Sequence, residues 1–284
     1  MTVSRRVALP LVLALAASVT ATAADAPPPR LHRLEYRFHE GETVTMKVAH
    51  RARTETTISG TTQTTETATD STKRWHVAAV DGQGRATIEH SVEDVSMTSR
   101  TSDRGEVRFD SRGTEPPPPG YEGVRESLGR TLSRVVVDRD GRVLSRTDLR
   151  PSPEAASGDL MVMPLPEDPV ATGAEWTVPQ EVVVEVPGGP RKAVRTRLRY
   201  RLESVRDDVA TITVDTTVLT PVDDPRLEAR LLERIWEGTI EFDLAAGRVA
   251  SRSTGIDRRV VGFSGQESSV RYRASLEERL VPDR

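Results

Sequence analysis

The stretch Lys192–Val205, KAVRTRLRYRLESV, constrains the fold of this chain more than any other. Val194, Thr196, Leu198, Tyr200 and Leu202 hold alternate positions, and Arg195, Arg197, Arg199, Arg201 and Glu203 fill those between. A period of two places the first set on one face of an extended strand and the second set on the other, whereas a helix would mix them. The same alternation runs through Thr43–Ile58, with Val44, Met46, Val48, His50 and Ala52 on one side and Thr45, Lys47, Ala49, Arg51 and Arg53 on the other. Ser59–Thr62 reads as its turn, and a Thr-rich strand then climbs to Trp75, Val77 and Ala79. Val80–Arg85, VDGQGR, is a hairpin signal leading into Ala86–Val92, and Arg206–Asp208 turns the chain into Val209–Val218. The expected fold is mainly β, with antiparallel curved sheets in two similar halves and one or two short helices, at Tyr121–Arg130 and Pro225–Trp236.

The halves echo each other. Leu132–Arg146, LSRVVVDRDGRVLSR, and Gly238–Ser253, GTIEFDLAAGRVASRS, share an apolar run, an Asp, a Gly-containing loop, Arg-Val and Ser-Arg. Ala-Thr-Ile occurs at 86–88 and 210–212, followed by Gly105–Asp110 and Gly238–Asp243 respectively, which reads as an internal duplication. The chain divides into a signal peptide (1–23), a Pro-rich tether (24–33), an N-terminal β half (34–149), a Pro-, Gly- and Ser-rich linker (150–172) and a C-terminal β half (173–284).

The first segment has Arg5 and Arg6, an apolar run from Val7 to about Val19, and Ala21, Ala23 and Ala24, the layout of a secretory signal cleaved after Ala23 or Ala24. Ser4-Arg5-Arg6 also fits a twin-arginine signal. The run is shorter than the roughly 20 residues of a membrane-spanning helix, so the exported chain is expected to be soluble, in the periplasm or the medium. With no cysteine there is no thiol for a lipid anchor, a disulfide or a thiolate metal site. Loss of the signal removes two arginines and no acid, taking the formal charge from −3 to −5. So mild an acidic balance points away from nucleic acid and anionic membranes.

Motifs for chemistry are sparse. In the Asp138-Arg139-Asp140-Gly141 loop an EF-hand would require further oxygen ligands, but the chain continues Arg142, Val143 and Leu144, and the later copy replaces the second Asp by Ala. Both loops are therefore expected to be hairpin turns. All five histidines (His32, His39, His50, His76, His90) lie in the first half. His76 and His90 face each other only if Asp81 pairs with Arg85; a Val80–Arg85 pairing instead sets Val77 against Ile88 and Ala79 against Ala86, apolar against apolar, and puts the two histidines on opposite faces, away from a shared metal. Gly262–Gln266, GFSGQ, lacks the strand-turn-helix context of a nucleophile elbow, and no phosphate-binding, dinucleotide-binding or His-Glu-x-x-His motif occurs. No metal or organic cofactor is expected. Arg195, Arg197, Arg199 and Arg201 form a ladder able to hold an anion. With 37 Arg against 3 Lys it also reads as an ordinary solvent face, paired across the sheet with Glu181 and Glu185.

Leu165, Pro166, Val170, Gly173 and Trp176 form a Leu-Pro-x-x-x-Val-x-x-Gly-x-x-Trp junction that resembles a family of uncharacterised exported bacterial β-rich proteins, a domain of unknown function. Tyr36–Val44, Val137–Val143 and Gly238–Val249 also resemble it. The resemblance implies a secreted two-part β fold without assigned activity, similar in shape to LolA-like carriers of lipids and lipoproteins. The leading expectation is a non-catalytic envelope protein binding a lipid-like ligand or a partner protein on a curved sheet, with Trp176, Tyr200 and Leu198 as candidate ligand contacts. The alternatives are a hydrolase of envelope polymers and a purely structural surface module.

Overall fold

The computed structural model describes residues 29–150, 161–185 and 191–282; the expected signal segment and the first part of the linker lie outside them. The first half supplies β1 (Leu31–His32), β2 (Thr43–Ile58), β3 (Thr61–Val80), β4 (Ala86–Thr101), β5 (Gly105–Asp110), α1 (Glu122–Ser127), β6 (Thr131–Val137) and β7 (Val143–Asp148). The second supplies β8 (Val170–Ala171), β9 (Glu175–Glu185), β10 (Arg191–Arg206), β11 (Val209–Val218), α2 (Pro225–Leu231), β12 (Glu237–Asp243), β13 (Arg248–Val261) and β14 (Ser268–Leu280). A single twelve-stranded antiparallel sheet runs β7-β6-β4-β3-β2-β14-β13-β12-β11-β10-β9, with β5 paired to the far end of β4. It ends in two free strands, β7 and β9, so it is open. β1 and β8 form a separate two-stranded ribbon. None of the helices among the described residues is long and apolar enough to cross a membrane.

Matching hydrogen bonds recur in the two halves. Gly41 N–H donates to Val77 O (2.9 Å) and Val77 N–H to Glu42 O (2.8 Å); Gly173 N–H donates to Leu202 O (2.7 Å) and Leu202 N–H to Ala174 O (3.0 Å). Val77 and Leu202 are each followed by a bulge and pair with Ile88 and Ile212. Ile88 in turn faces Val135, and Ile212 faces Ile240. The partner of the first Ala-Thr-Ile strand is thus β6, whereas β5 pairs with Ser96–Thr101. This corrects the equivalence of Gly105–Asp110 with Gly238–Asp243: the counterpart of β12 is β6, which carries the shared hairpin loop.

Those two loops are turns, and their aspartates are committed to the backbone. Asp138 Oδ1 accepts from Asp140 N–H (3.0 Å) and Arg142 N–H (2.8 Å), and Asp243 Oδ1 from Ala246 N–H (2.7 Å). Gly141 and Gly247, at φ of 76° and 62°, give both loops a left-handed residue. The segment Leu34–Phe38 lies across the two loops: Tyr36 N–H donates to Arg139 O (2.9 Å) and Arg37 N–H to Gly247 O (3.0 Å).

One main core follows from this arrangement. Val44, Met46, Trp75, Val77, Ile88 and Val135 from the first half cluster with Tyr200, Leu202, Ile212, Ile240 and Phe242 from the second. The faces of both halves therefore curve around common ground. Into it goes the middle of the expected linker: Met161, Val162, Met163 and Leu165 are buried, contrary to the surface run that Pro-rich sequence leads one to expect. Side chains satisfy its backbone. Met163 N–H donates to Tyr36 Oη (2.8 Å), and Trp176 Nε1–H to Pro164 O (2.9 Å). Arg252 and Glu278, 3.1 Å apart and 11 % and 8 % exposed, form an ion pair on the same face.

Both helices are shorter than the sequence signals, because the chain leaves helical geometry at Leu128 and at Ile235. Asp224 Oδ1 caps α2 by accepting from Arg226 N–H (2.9 Å), with Pro225 in the first turn. Leu227 and Leu231 of α2 pack on Val184 and Val194. The 3-10 turn after it (Leu232–Arg234) contributes Leu232 to a cluster with Ile256, Val260 and Tyr272.

Candidate functional site

The arginine ladder lies where alternation places it. Arg195, Arg197, Arg199 and Arg201 are exposed, and Val194, Tyr200 and Leu202 are buried. Of the expected carboxylate partners, Glu181 faces Arg195 but Glu185 faces Arg191. The ion pairs run instead from Arg199 to Asp215 (2.8 Å) and from Arg201 to Glu203 (3.5 Å). The ladder is thus partly neutralised from its own sheet. Leu198 is only half-buried, because it falls between the cluster under α2 and the main core.

Trp176, Tyr200 and Leu198 are brought together. Trp176 stands opposite Tyr200 and stacks on it, with ring centroids 5.5 Å apart at 14°, and Leu198 packs against the same core. Met161, Val162, Met163 and Leu165 are buried in the same cluster, and Trp176 Nε1–H donates to Pro164 O. Burial pushes the Tyr200 hydroxyl up to about 12.

The histidines separate as expected, for a reason the sequence left out. A bulge at Ala78 lets both registers coexist: Val80 pairs with Ala86 and Ala79 with Thr87 beside the turn, whereas Val77 pairs with Ile88 beyond it. Ala79 is therefore turned outward rather than inward. His76 is exposed, and His90 is buried against Trp75, ring centroids 4.3 Å apart. His90 also stands opposite Ser133, but the Ser133 hydroxyl is buried without a hydrogen bond, so the two do not form the nucleophile-base contact that acyl transfer requires.

Two clefts open on the charged side of the molecule. One, of about 600 Å³, lies between the Asp81 and Asp138 turns and is lined by Arg33, Glu35, Arg85, Asp138, Arg139 and Asp140. Partial burial, followed by the neighbouring Asp138, raises the pKa of Asp140. The other, of about 430 Å³, is lined by Arg51, Arg53, Glu66, Arg100, Glu106 and Arg273, among others. Its guanidinium groups are largely matched: Arg51 to Asp70, Arg53 to Glu55 and Glu66, and Arg273 to Asp257. The hydrogen bond from Arg271, then that from Arg273, holds Asp257 down to about 2.

The opposite face of these same strands is different in kind. Beyond the main core, β2 turns His50, Ala52 and Thr54 inward, β3 turns Thr65, Thr67 and Thr69, and β4 turns Met97, Ser99 and Thr101. The register sets Thr54, Thr65 and Thr101 in one row, Ala52, Thr67 and Ser99 in the next, and His50, Thr69 and Met97 in a third. All nine are half-buried, and no carboxylate, lysine or arginine is among them. Among the described residues, the Thr54, Thr65, Thr67, Thr69, Ser99 and Thr101 hydroxyls have no hydrogen-bond partner. On one flank Tyr272 follows Thr54 across the β2–β14 ladder, and Trp236 lies 6.3 Å from His50, ring to ring. On the other, Phe109 pairs with Met97 and packs on Tyr121 at 5.6 Å, with Arg125 over its ring. Charged neighbours stand beside these rows: Arg258 faces Tyr272, and Glu233 helps burial push the Tyr272 hydroxyl up to about 12. Sequence reasoning recorded the Thr-rich alternation here as a strand with a wet face. The signal it passed over was the absence of charge from the even positions of β2 after Lys47.

No family model matches the chain, and no curated protein matches it. Two solved structures align over most of its length. DynF from the dynemicin biosynthesis pathway of Micromonospora chersina is 9 % identical over 94 % of this chain and 90 % of that one, with a TM-score of 0.21. The translocator domain of the autotransporter NalP from Neisseria meningitidis is 8 % identical over 85 % of this chain and 89 % of that one, with a TM-score of 0.25. Similarities this weak carry no argument about architecture or role.

Proposed function

We propose that this chain is an exported, non-catalytic binding protein that engages its ligand on the inner face of the curved sheet, over the outer parts of β2, β3 and β4. The observation that carries this is the segregation of charge. The outward side of those strands bears Arg51, Arg53, Glu66, Asp70 and Arg100, while the inward side is uncharged and half-exposed with unpaired hydroxyls. In a chain with 29 % charged residues, a solvent face without charge is the kind of surface that partners cover. The amino-terminal signal pattern supports export, and the matched hydrogen bonds of the halves support an origin by internal duplication.

A second reading, an apolar lipid-like ligand taken up as in a carrier, is favoured by one observation: Met161–Leu165, a short segment outside the sheet, is buried in the same cluster as Trp176, Tyr200 and Leu198 and is tied to it by the Trp176 hydrogen bond to Pro164 O. Hydroxyl-radical footprinting of the full chain, with and without the envelope fraction of the cells that make it, separates the two. The expected result is loss of reactivity at Met97 and His50, with Met163 and Trp176 unchanged. Changes confined to Met163 and Trp176 would transfer the role to the core, and no change anywhere would leave a structural module.

A further inference from the structure

The two ends of the sheet differ in what they offer another strand. Leu149 N–H donates to Leu132 O (2.8 Å), which turns the backbone of Leu149 toward β6, and alternation then turns that of Arg146 and Asp148 outward. Among the described residues no strand pairs with that side of β7. At the other end Leu219 N–H donates to Arg195 O (2.9 Å), so the backbone of Arg195, and that of Arg197 two residues on, faces β11. Pro179, opposite Arg197, therefore faces outward. It has no N–H to offer, and Glu175, Glu181 and Glu185 share its outward-facing set of positions. A strand added to β9 would meet a gap in its ladder and a row of carboxylates, two devices that keep sheet edges apart. β7 has no proline. Val143, Leu144 and Leu149 are exposed in it or beside it, whereas β5 and β9 each expose one such apolar side chain, Val107 and Val183.

We propose that the outer edge of β7 pairs with the same edge of a second copy of this chain, antiparallel about a two-fold axis at Thr147. Arg146 of one copy then stands opposite Asp148 of the other, and the axis repeats the contact. Both residues turn their backbone outward, so each of the two pairs exchanges N–H to O bonds in both directions. Within the strand Arg146 and Asp148 are already an ion pair (2.8 Å), on the side of Val135 and Ser133. The pairing extends it into a cluster of four charges of alternating sign, and opposite charges directly across a ladder stabilise it. An axis at Arg146 would instead set two guanidinium groups against each other, and one at Asp148 two carboxylates. Leu149 of each copy comes to lie beside Ser145 of the other, and Leu144 beside Arg150. The charged pair turns away an ordinary apolar strand and accepts its own image, which is how an edge gains specificity. Because Pro179 guards the opposite edge, assembly stops at two copies and does not run on head to tail.

Sedimentation velocity of the full chain over a range of concentrations tests it. The mass is expected to double as the concentration rises, with no larger species. Arg146→Asp and Asp148→Arg each set like charges opposite each other in the pair, so each variant alone is expected to stay monomeric. Mixed in equal amounts the two are expected to dimerise, since each supplies the sign the other lacks. Arg146→Pro, which gives β7 the device that Pro179 gives β9, is expected to abolish the dimer while the circular dichroism of the sheet is unchanged. Should a variant fail to fold, hydrogen exchange of the unaltered chain decides: the amides of Arg146 and Asp148 are expected to slow as the concentration rises, and those of Glu181 and Val183 are not. The proposal is overturned if the chain is monomeric at every concentration, if either charge variant alone still dimerises, or if their mixture stays monomeric. Mass that grows beyond a dimer, or slowing at Glu106 and Arg108 of β5 in place of β7, would overturn it as well.

Discussion

At the scale of single residues, strand β10 shows how far alternation alone can be trusted. Leu202 is fully buried and Arg197 is exposed, so Leu202→Ala is expected to lose about 2–5 kcal/mol of stability, as large-to-small changes in a core do. Arg197→Ala should lose within about 0.5 kcal/mol, as surface changes do. Leu198→Ala falls between them, since its side chain is covered on only one side. Urea unfolding measures all three, and equal losses at 197 and 202 would mean that the faces are assigned wrongly. The two faces of β10 were legible because Arg and apolar residues alternate without a break. The partial burial of Leu198 was not, because it depends on where α2 stops, a property of packing with no trace in the strand. Arg252 and Glu278 were hidden for a related reason: each reads as an ordinary wet position, and only the β13–β14 register turns them toward each other.

At the scale of elements, turns were legible and insertions were not. Asp-Gly loops declare themselves through residues tolerant of left-handed backbone. A bulge such as that at Ala78 is one extra residue with no sequence mark, and it reversed the direction of Ala79. Met161–Leu165 has neither helical nor strand periodicity, so nothing in the sequence distinguished it from the rest of the expected linker. The contacts at Gly141 make this element testable. A Cβ there would lie 2.2 Å from Met163 O and 2.5 Å from the Tyr36 ring, whereas at Gly41, with a similar φ of 82°, it would meet nothing within 4 Å. Gly41→Ala is therefore expected to lose about 1–2 kcal/mol from backbone strain alone. Gly141→Ala loses more, and it speeds amide hydrogen exchange at Met163. Equal losses, or unchanged exchange, would show that the loop does not hold the segment in place. The inner-face threonines belong at this scale too: the composition was visible, but which hydroxyls share a surface follows only from the pairing of β3 with both β2 and β4.

At the scale of the whole molecule, packing on the sheet buries three of the four tyrosines, Tyr36, Tyr200 and Tyr272. Tyr200 and Tyr272 are pushed up to about 12, and Tyr36 still further, chiefly by burial. The fold thus favours the neutral phenol. The stability this lends is complete below the ordinary tyrosine range near 10 and is lost as the pH rises toward 12. In an alkaline titration, phenolate absorbance from these side chains is expected to appear together with the collapse of the sheet's circular dichroism, and not before it. Phenolate from Tyr200 at pH 10 in an intact sheet would contradict the curved core.

The neighbour relation of β2 and β14 has a consequence in time. These strands, at the middle of the sheet, are almost the first and the last of the chain, and their pairing joins Met46 to Leu280. Contacts so distant in sequence close slowly, and during synthesis they cannot begin until Ser268 and the residues after it exist. Until then β2 presents sixteen residues with one ladder filled and one empty, a template open to any other strand. A chain interrupted before its final hairpin would carry an intact first half and still be the form most prone to aggregate.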